Sequence, residues 1–131
     1  MPPPPDPSRA LLVVEDNNVI RDQIVAILEM NGYSAIAAAN GNEGLRLACQ
    51  FRPALIISDV MMPELNGLDM LRDIRQTPEL DHTPVVLLSA LIAKEDIRIG
   101  LELGAADYLI KPFRITDLLQ VVGRHLQSST R

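Results

Sequence analysis

Tryptophan is absent, cysteine occurs once, and the aromatic side chains amount to two Phe and two Tyr in 131 residues. A single thiol, Cys49, excludes an intrachain disulfide, and a domain that needs none suits a reducing cytoplasm. Cys49 reads as a small apolar residue of a helix rather than as a reactive group. No apolar stretch approaches the roughly 18–20 residues that cross a bilayer. The opening residues also lack the basic-then-apolar pattern of a secretion signal. Basic residues are few and scattered, 12 Lys and Arg against 17 Asp and Glu, for a net charge of −5. With so few aromatics between them, this argues against direct binding of nucleic acid.

What is present is an ordinary globular balance, 47% apolar and 22% charged, in a length that fits one domain. Such a chain buries about 70% of its extended surface and folds without a staple. Residues 1–8 are proline-rich and are expected to be a disordered arm. Residues 128–131 are expected to be a polar tail. Between them strand and helix patterns alternate. Runs at 10–14, 34–38, 54–58, 85–88 and 108–110 read as strands, 10–14 as one buried on both faces and 34–38 as a weaker one. Helical periodicity covers 18–30, 40–50, 68–76, 94–103 and 115–127. Asn31-Gly32 and Gly104 are stop signals, with glycine suited to the left-handed position after a helix. Asn40 with Glu43 resembles a capping box. Five strands alternating with five helices imply an α/β fold, a parallel sheet with helices on both faces.

The polar residues at the strand ends carry the chemistry. The first apolar run stops at Glu15-Asp16, the third at Asp59, the fourth at Ser89 and the fifth at Lys111. In an open parallel sheet all these carboxyl ends share one edge, where ligands bind at the point of strand-order reversal. Three carboxylates crowded there raise one another's pKa values unless a cation joins them. Mg²⁺ takes oxygen donors, keeps several waters and uses one or two carboxylates with phosphate oxygens. Lys111 adds positive charge and Ser89 a hydroxyl, the parts that stabilise a phosphoryl group in transfer. Asp59 is the candidate nucleophile. Taken singly, Asp16 and Asp59 read equally well as caps of the helices that follow them, Ser89 as a turn residue and Lys111 as a solvated charge.

The stretches Leu12-Val13-Val14-Glu15-Asp16-Asn17, Asp59-Val60-Met61-Met62-Pro63 with Gly67, Leu88-Ser89-Ala90 and Asp107-Tyr108-Leu109-Ile110-Lys111-Pro112-Phe113 carry a family resemblance. Over about residues 9–127 the chain resembles the receiver domain of two-component response regulators. The resemblance implies a three-layer flavodoxin-like (βα)5 fold with strand order 2-1-3-4-5. It implies that Asp59 is the phosphoacceptor. Glu15, Asp16, Asp59 and the backbone carbonyl of Met61 would hold Mg²⁺, with Mn²⁺ as a substitute and Glu15 acting through a water. Ser89, Ala90, Tyr108 and Lys111 would bind the phosphoryl group and relay its arrival, Tyr108 by turning inward. The Lys111–Pro112 bond is expected to be cis.

The resemblance further implies a phosphohistidine donor on a sensor histidine kinase or histidine phosphotransfer domain. The output or dimer face would be formed by the helix at 94–103, the fifth strand and the last helix. The chain would be a cytoplasmic signalling domain rather than an enzyme, with no membrane insertion. Apolar Met61 and Leu91 beside the site imply slow self-dephosphorylation. His82 and His125 are weak candidates as phosphate carriers; His125 suits the end of the last helix. Two other classes compete. A haloacid dehalogenase-type phosphatase wants a second acid two residues after its nucleophile, where Met61 stands here. A phosphorylation-independent scaffold would be signalled by loss of Asp59 or Lys111, and both are present.

Overall fold

The structure is a computed structural model that describes residues 10–62, 65–90 and 94–129. The proline-rich stretch at 1–8, Pro63 and Leu91 lie outside those residues. Five strands form one sheet: β1 (Leu11–Val14), β2 (Ala35–Ala38), β3 (Leu55–Asp59), β4 (Val85–Ala90) and β5 (Asp107–Lys111). All pairings are parallel, in the order β2-β1-β3-β4-β5. The helices are α1 (Asn18–Met30), α2 (Gly41–Phe51), α3 (Gly67–Arg75), α4 (Lys94–Glu102) and α5 (Ile115–Ser129). A short 3₁₀ turn at Pro78–Leu80, not anticipated from the sequence, buries Leu80 in the apolar layer shared with α2 and α3. Helix α5 continues to Ser129, so the polar tail expected at 128–131 begins inside that helix.

Side chains alternate across a strand, and the two apolar layers divide accordingly. Leu11, Val13, Leu55, Ile57, Val86 and Leu88 face one layer with Ile24 and Leu28 of α1 and Leu118, Val122 and Leu126 of α5. Leu12, Val14, Ile56, Val85 and Leu87 face the other, with Ala48 of α2 and Met70, Leu71 and Ile74 of α3. The central strands are buried on both sides, which is why β1, β3 and β4 read as continuous apolar runs. Edge strands β2 and β5 are only partly covered. Truncating a fully buried side chain such as Leu71 to Ala costs about 2–5 kcal/mol.

Register then fixes the upper edge. Val14 of β1 pairs with Ser58 of β3, so Glu15 comes level with Asp59. Asp59 lies opposite Leu88 of β4, and Ala90 lies opposite Lys111 of β5. Glycine fits the return loop to the sheet: a Cβ at Gly67 would collide with the Asp59 carbonyl oxygen, and the Gly67 N–H donates to the Val60 carbonyl at 3.0 Å.

Candidate functional site

Helices α1, α2 and α3 are capped by asparagine. Asn17 accepts from the Ile20 N–H at 3.0 Å, Asn40 from the Glu43 N–H at 2.8 Å and Asn66 from the Asp69 N–H at 2.9 Å. Glu43 completes a box-like arrangement by accepting from the Ala39 N–H at 3.2 Å. The reading of Asp16 and Asp59 as helix caps is therefore corrected: Asn17 and Asn66 fill those positions. Both carboxylates stand outside the local hydrogen bonding of the helices and are available to the site.

The three acidic side chains meet. One carboxylate oxygen from each of Glu15, Asp16 and Asp59 lies within 4.8 Å of the others. Glu15 is fully buried, Asp59 nearly so, and Asp16 faces water. Lys111 reaches across from β5, donating to Glu15 Oε1 at 2.7 Å and to Asp59 Oδ2 at 3.0 Å. The second oxygen of Glu15 accepts from the Asn17 N–H at 3.1 Å. The Met61 N–H lies 3.4 Å from Asp59 Oδ1, at the long end of hydrogen-bond range. Ser89 is buried beside this edge, its hydroxyl 3.3 Å from the Ala90 carbonyl. Ala90 and Tyr108 are exposed, and the Lys111–Pro112 bond is cis.

The protonation behaviour follows from the crowding. Desolvation against the protein raises the Asp16 pKa, and the neighbouring Glu15 carboxyl adds to the rise. Burial alone would lower Lys111, but its bonds to Glu15 and Asp59 outweigh that and hold its pKa above the ordinary lysine value. Three acids and one lysine leave the edge with excess negative charge. The donor set is all oxygen, partly buried and open to solvent on the Asp16 side. That fits a hard divalent cation that retains water ligands, and not a metal seeking sulfur or imidazole.

Not every residue singled out in the sequence joins the site. Cys49 lies on the exposed side of α2. His82 is on the surface beside Asp81. His125, near the end of α5, has its Nε2 3.1 Å from Asp107 Oδ2, which Arg124 also contacts at 3.0 Å. Two arginines were missed. Arg21 of α1 donates to the Glu15 carbonyl at 2.8 Å, and Arg75 of α3 gathers carbonyls at the opposite edge. The only signal for Arg21 was its place one helical turn from Asn18; Arg75 gave none, since its partners lie in loops.

Comparison with known proteins agrees with this geometry. The chain is 38% identical over 120 residues to the response regulator MprA of Mycolicibacterium vanbaalenii, covering 92% of this chain and 51% of that protein. It is 41% identical over 103 residues to the transcriptional regulatory protein AfsQ1 of Streptomyces coelicolor, covering 79% and 44%. It thus spans about half the length of the curated relatives it matches. Among solved structures, the signal receiver domain of a signal transduction histidine kinase from Syntrophus aciditrophicus superposes with a TM-score of 0.87 at 37% identity, covering 94% of this chain and 93% of that one. Vibrio cholerae chemotaxis protein CheY4 gives 0.84 at 33% identity, covering 88% and 97%. The family model of the response regulator receiver domain matches residues 11–123, and the chain belongs to that family.

Proposed function

We propose that this domain accepts a phosphoryl group on Asp59 and passes the event to a second surface. The observation that carries the reading is the convergence of Glu15, Asp16 and Asp59 around the Lys111 ammonium. Asp16, Asp59 and the Met61 carbonyl would hold Mg²⁺, or Mn²⁺ in its place, with Glu15 acting through a water. Bound there, the ion supplies charge neutralisation for the phosphoryl oxygens. A carboxylate oxygen of Asp59 attacks phosphorus as the bond to the donor imidazole nitrogen breaks, and that nitrogen leaves with the electron pair and takes up a proton. Lys111 and the Ser89 hydroxyl then donate to the phosphoryl oxygens, each such bond contributing about 1.5–3 kcal/mol.

The donor is a phosphohistidine on a sensor histidine kinase or a histidine phosphotransfer domain. An apolar groove of about 770 Å³ between α1 and the start of α5, with Lys111 at its rim, supports docking of a donor beside Asp59. Output runs through α4, β5 and α5, where Tyr108 and Leu101 are exposed. Tyr108, which turns inward on phosphorylation, and Ala90, whose small side chain leaves room, complete the relay. An output domain or a second copy would engage that face. No helix among the described residues is long and apolar enough to cross a membrane, and the cytoplasm is the setting this reading requires. Met61 is exposed and apolar; it cannot orient an attacking water, so hydrolysis is slow, and a phospho-Asp59 lifetime of only seconds would count against this.

The test is incubation with Mg²⁺ and acetyl phosphate, read by intact mass. One phosphate should be gained, and Asp59→Asn should abolish the gain. Equal labelling of the variant would remove Asp59 from the role.

A further inference from the structure

The turn that presents Asp16 is tied together by its neighbours and not by Asp16 itself. Strand β1 ends with the Glu15 N–H still donating to the Ala38 carbonyl at 3.1 Å, but the chain then leaves the sheet. Arg21 Nη1 donates to the Glu15 carbonyl at 2.8 Å, and Arg21 Nη2 to Asn18 Oδ1 at 2.5 Å. The Asn17 side chain caps α1, and the Asn17 N–H holds Glu15 Oε2 at 3.1 Å. These contacts settle Glu15, Asn17 and Asn18. Asp16 takes no part in them and projects from a turn held on both sides.

A cationic side chain so close to an anticipated cation site has two opposite consequences. Its charge repels a divalent ion. Its planar fork, which matches two acceptors at once, fixes the turn from which a ligand projects. The guanidinium faces the Glu15 carbonyl and the Asn18 amide oxygen, which directs its donors into the turn.

Resting on the reading of the acidic cluster as a Mg²⁺ site, we infer that Arg21 is a positioning residue for that site: it pre-orders the turn from Glu15 to Asn18 so that Asp16 meets Asp59 without a search. Groups that orient a metal ligand from behind typically contribute 10- to 100-fold in affinity. Lysine keeps the charge but offers one nitrogen in place of the planar fork whose two nitrogens each serve one acceptor. Methionine keeps the length and loses both.

The experiment is calorimetric titration of the full chain with MgCl₂ alone, with the metal-free melting temperature recorded for each variant. Arg21→Met is expected to weaken Mg²⁺ binding about tenfold or more, and Arg21→Lys is expected to recover only part of that loss. Asn18→Ala, which removes one of the two acceptors, should shift affinity in the same direction by less. Arg21→Lys is the deciding variant if Arg21→Met does not fold. Parental affinity in Arg21→Lys, or tighter binding in Arg21→Met, overturns the inference and leaves only charge repulsion. A changed melting temperature with unchanged affinity also overturns it, since the role is then structural alone. A parent that binds no Mg²⁺ sinks the reading of the site itself. A parent that binds Mg²⁺ but takes no phosphate sinks only the acceptor role of Asp59.

Discussion

Arg75 at one edge of the sheet and Lys111 at the other are both partly buried cations, and the two are treated in opposite ways. At the lower edge Arg75 donates to the carbonyls of Gly104 at 2.8 Å and Thr83 at 2.8 Å, with Asp81 at 3.3 Å and Leu80 at 3.5 Å more loosely held. Its acceptors are backbone dipoles, fixed by the fold. Burial lowers the Arg75 pKa, with Asp81 opposing that shift. At the upper edge Lys111 faces two carboxylates, side chains that can exchange one cation for another. The same element, a long cationic side chain, is a permanent clamp in one place and a replaceable counterion in the other. Arginine suits the first because its fork serves several acceptors at once; lysine suits the second because it is a compact charge.

The largest test of this contrast is Lys111→Met. It leaves the buried Glu15 and Asp59 without their cation. Removing one partner of a buried pair costs about 3–5 kcal/mol, and the 24% exposure of Lys111 lowers the expectation to about 2–4 kcal/mol. Urea titration measures it, and added Mg²⁺ should restore much of the loss. The parent should also show the linkage that its lysine implies. A raised folded pKa means that this stabilisation is complete below the ordinary lysine value of about 10.4 and is lost as pH rises through the folded one. Alkaline destabilisation should therefore be steeper in the parent than in Lys111→Met.

Arg75→Met is the matching cut at the other edge. Carbonyls that lose their donor regain water in part, so about 1–3 kcal/mol is expected. Here Mg²⁺ should restore nothing. Equal rescue of both variants would erase the distinction between clamp and counterion.

The smallest effect is expected at Asp16, and it has the opposite sign. A carboxyl whose folded pKa is raised has its cost absent below the ordinary carboxylate range and fully present above the raised value. At neutral pH Asp16→Asn removes that cost. The metal-free protein should melt a few degrees higher, and the added stabilisation by Mg²⁺ should shrink. A lower metal-free melting temperature would show that Asp16 is not held in an unfavourable field.

Much of this was legible in the sequence because burial on both faces writes a strand as an unbroken apolar run. Leu11–Val14 and Val85–Leu88 could hardly be anything else, and the polar residues closing them, Glu15-Asp16 and Ser89, marked the upper edge. Strand order was not legible from the residues; it came with the resemblance, because nothing in the β2 sequence says which neighbour it will pair with. The bland reading of Asp16 and Asp59 as caps failed through competition. Asn17 and Asn66 stood at the correct spacing before Ile20 and Asp69, and an amide oxygen serves the helix start as well as a carboxylate does. Arg75 stayed hidden because its acceptors are carbonyls of loops and turns spread from Leu80 to Gly104, and backbone atoms leave no trace in residue identity.

Those asparagines have one more consequence. An amide neither gains nor loses a proton at any pH where proteins remain folded. The side-chain caps of α1, α2 and α3 are therefore groups indifferent to acid, with the Glu43 carboxylate as an added partner at α2, while the cluster they surround is built of acids and a lysine. Acid leaves those three amide caps in place, so the chemistry of the edge and the capping of the helices around it answer to different variables.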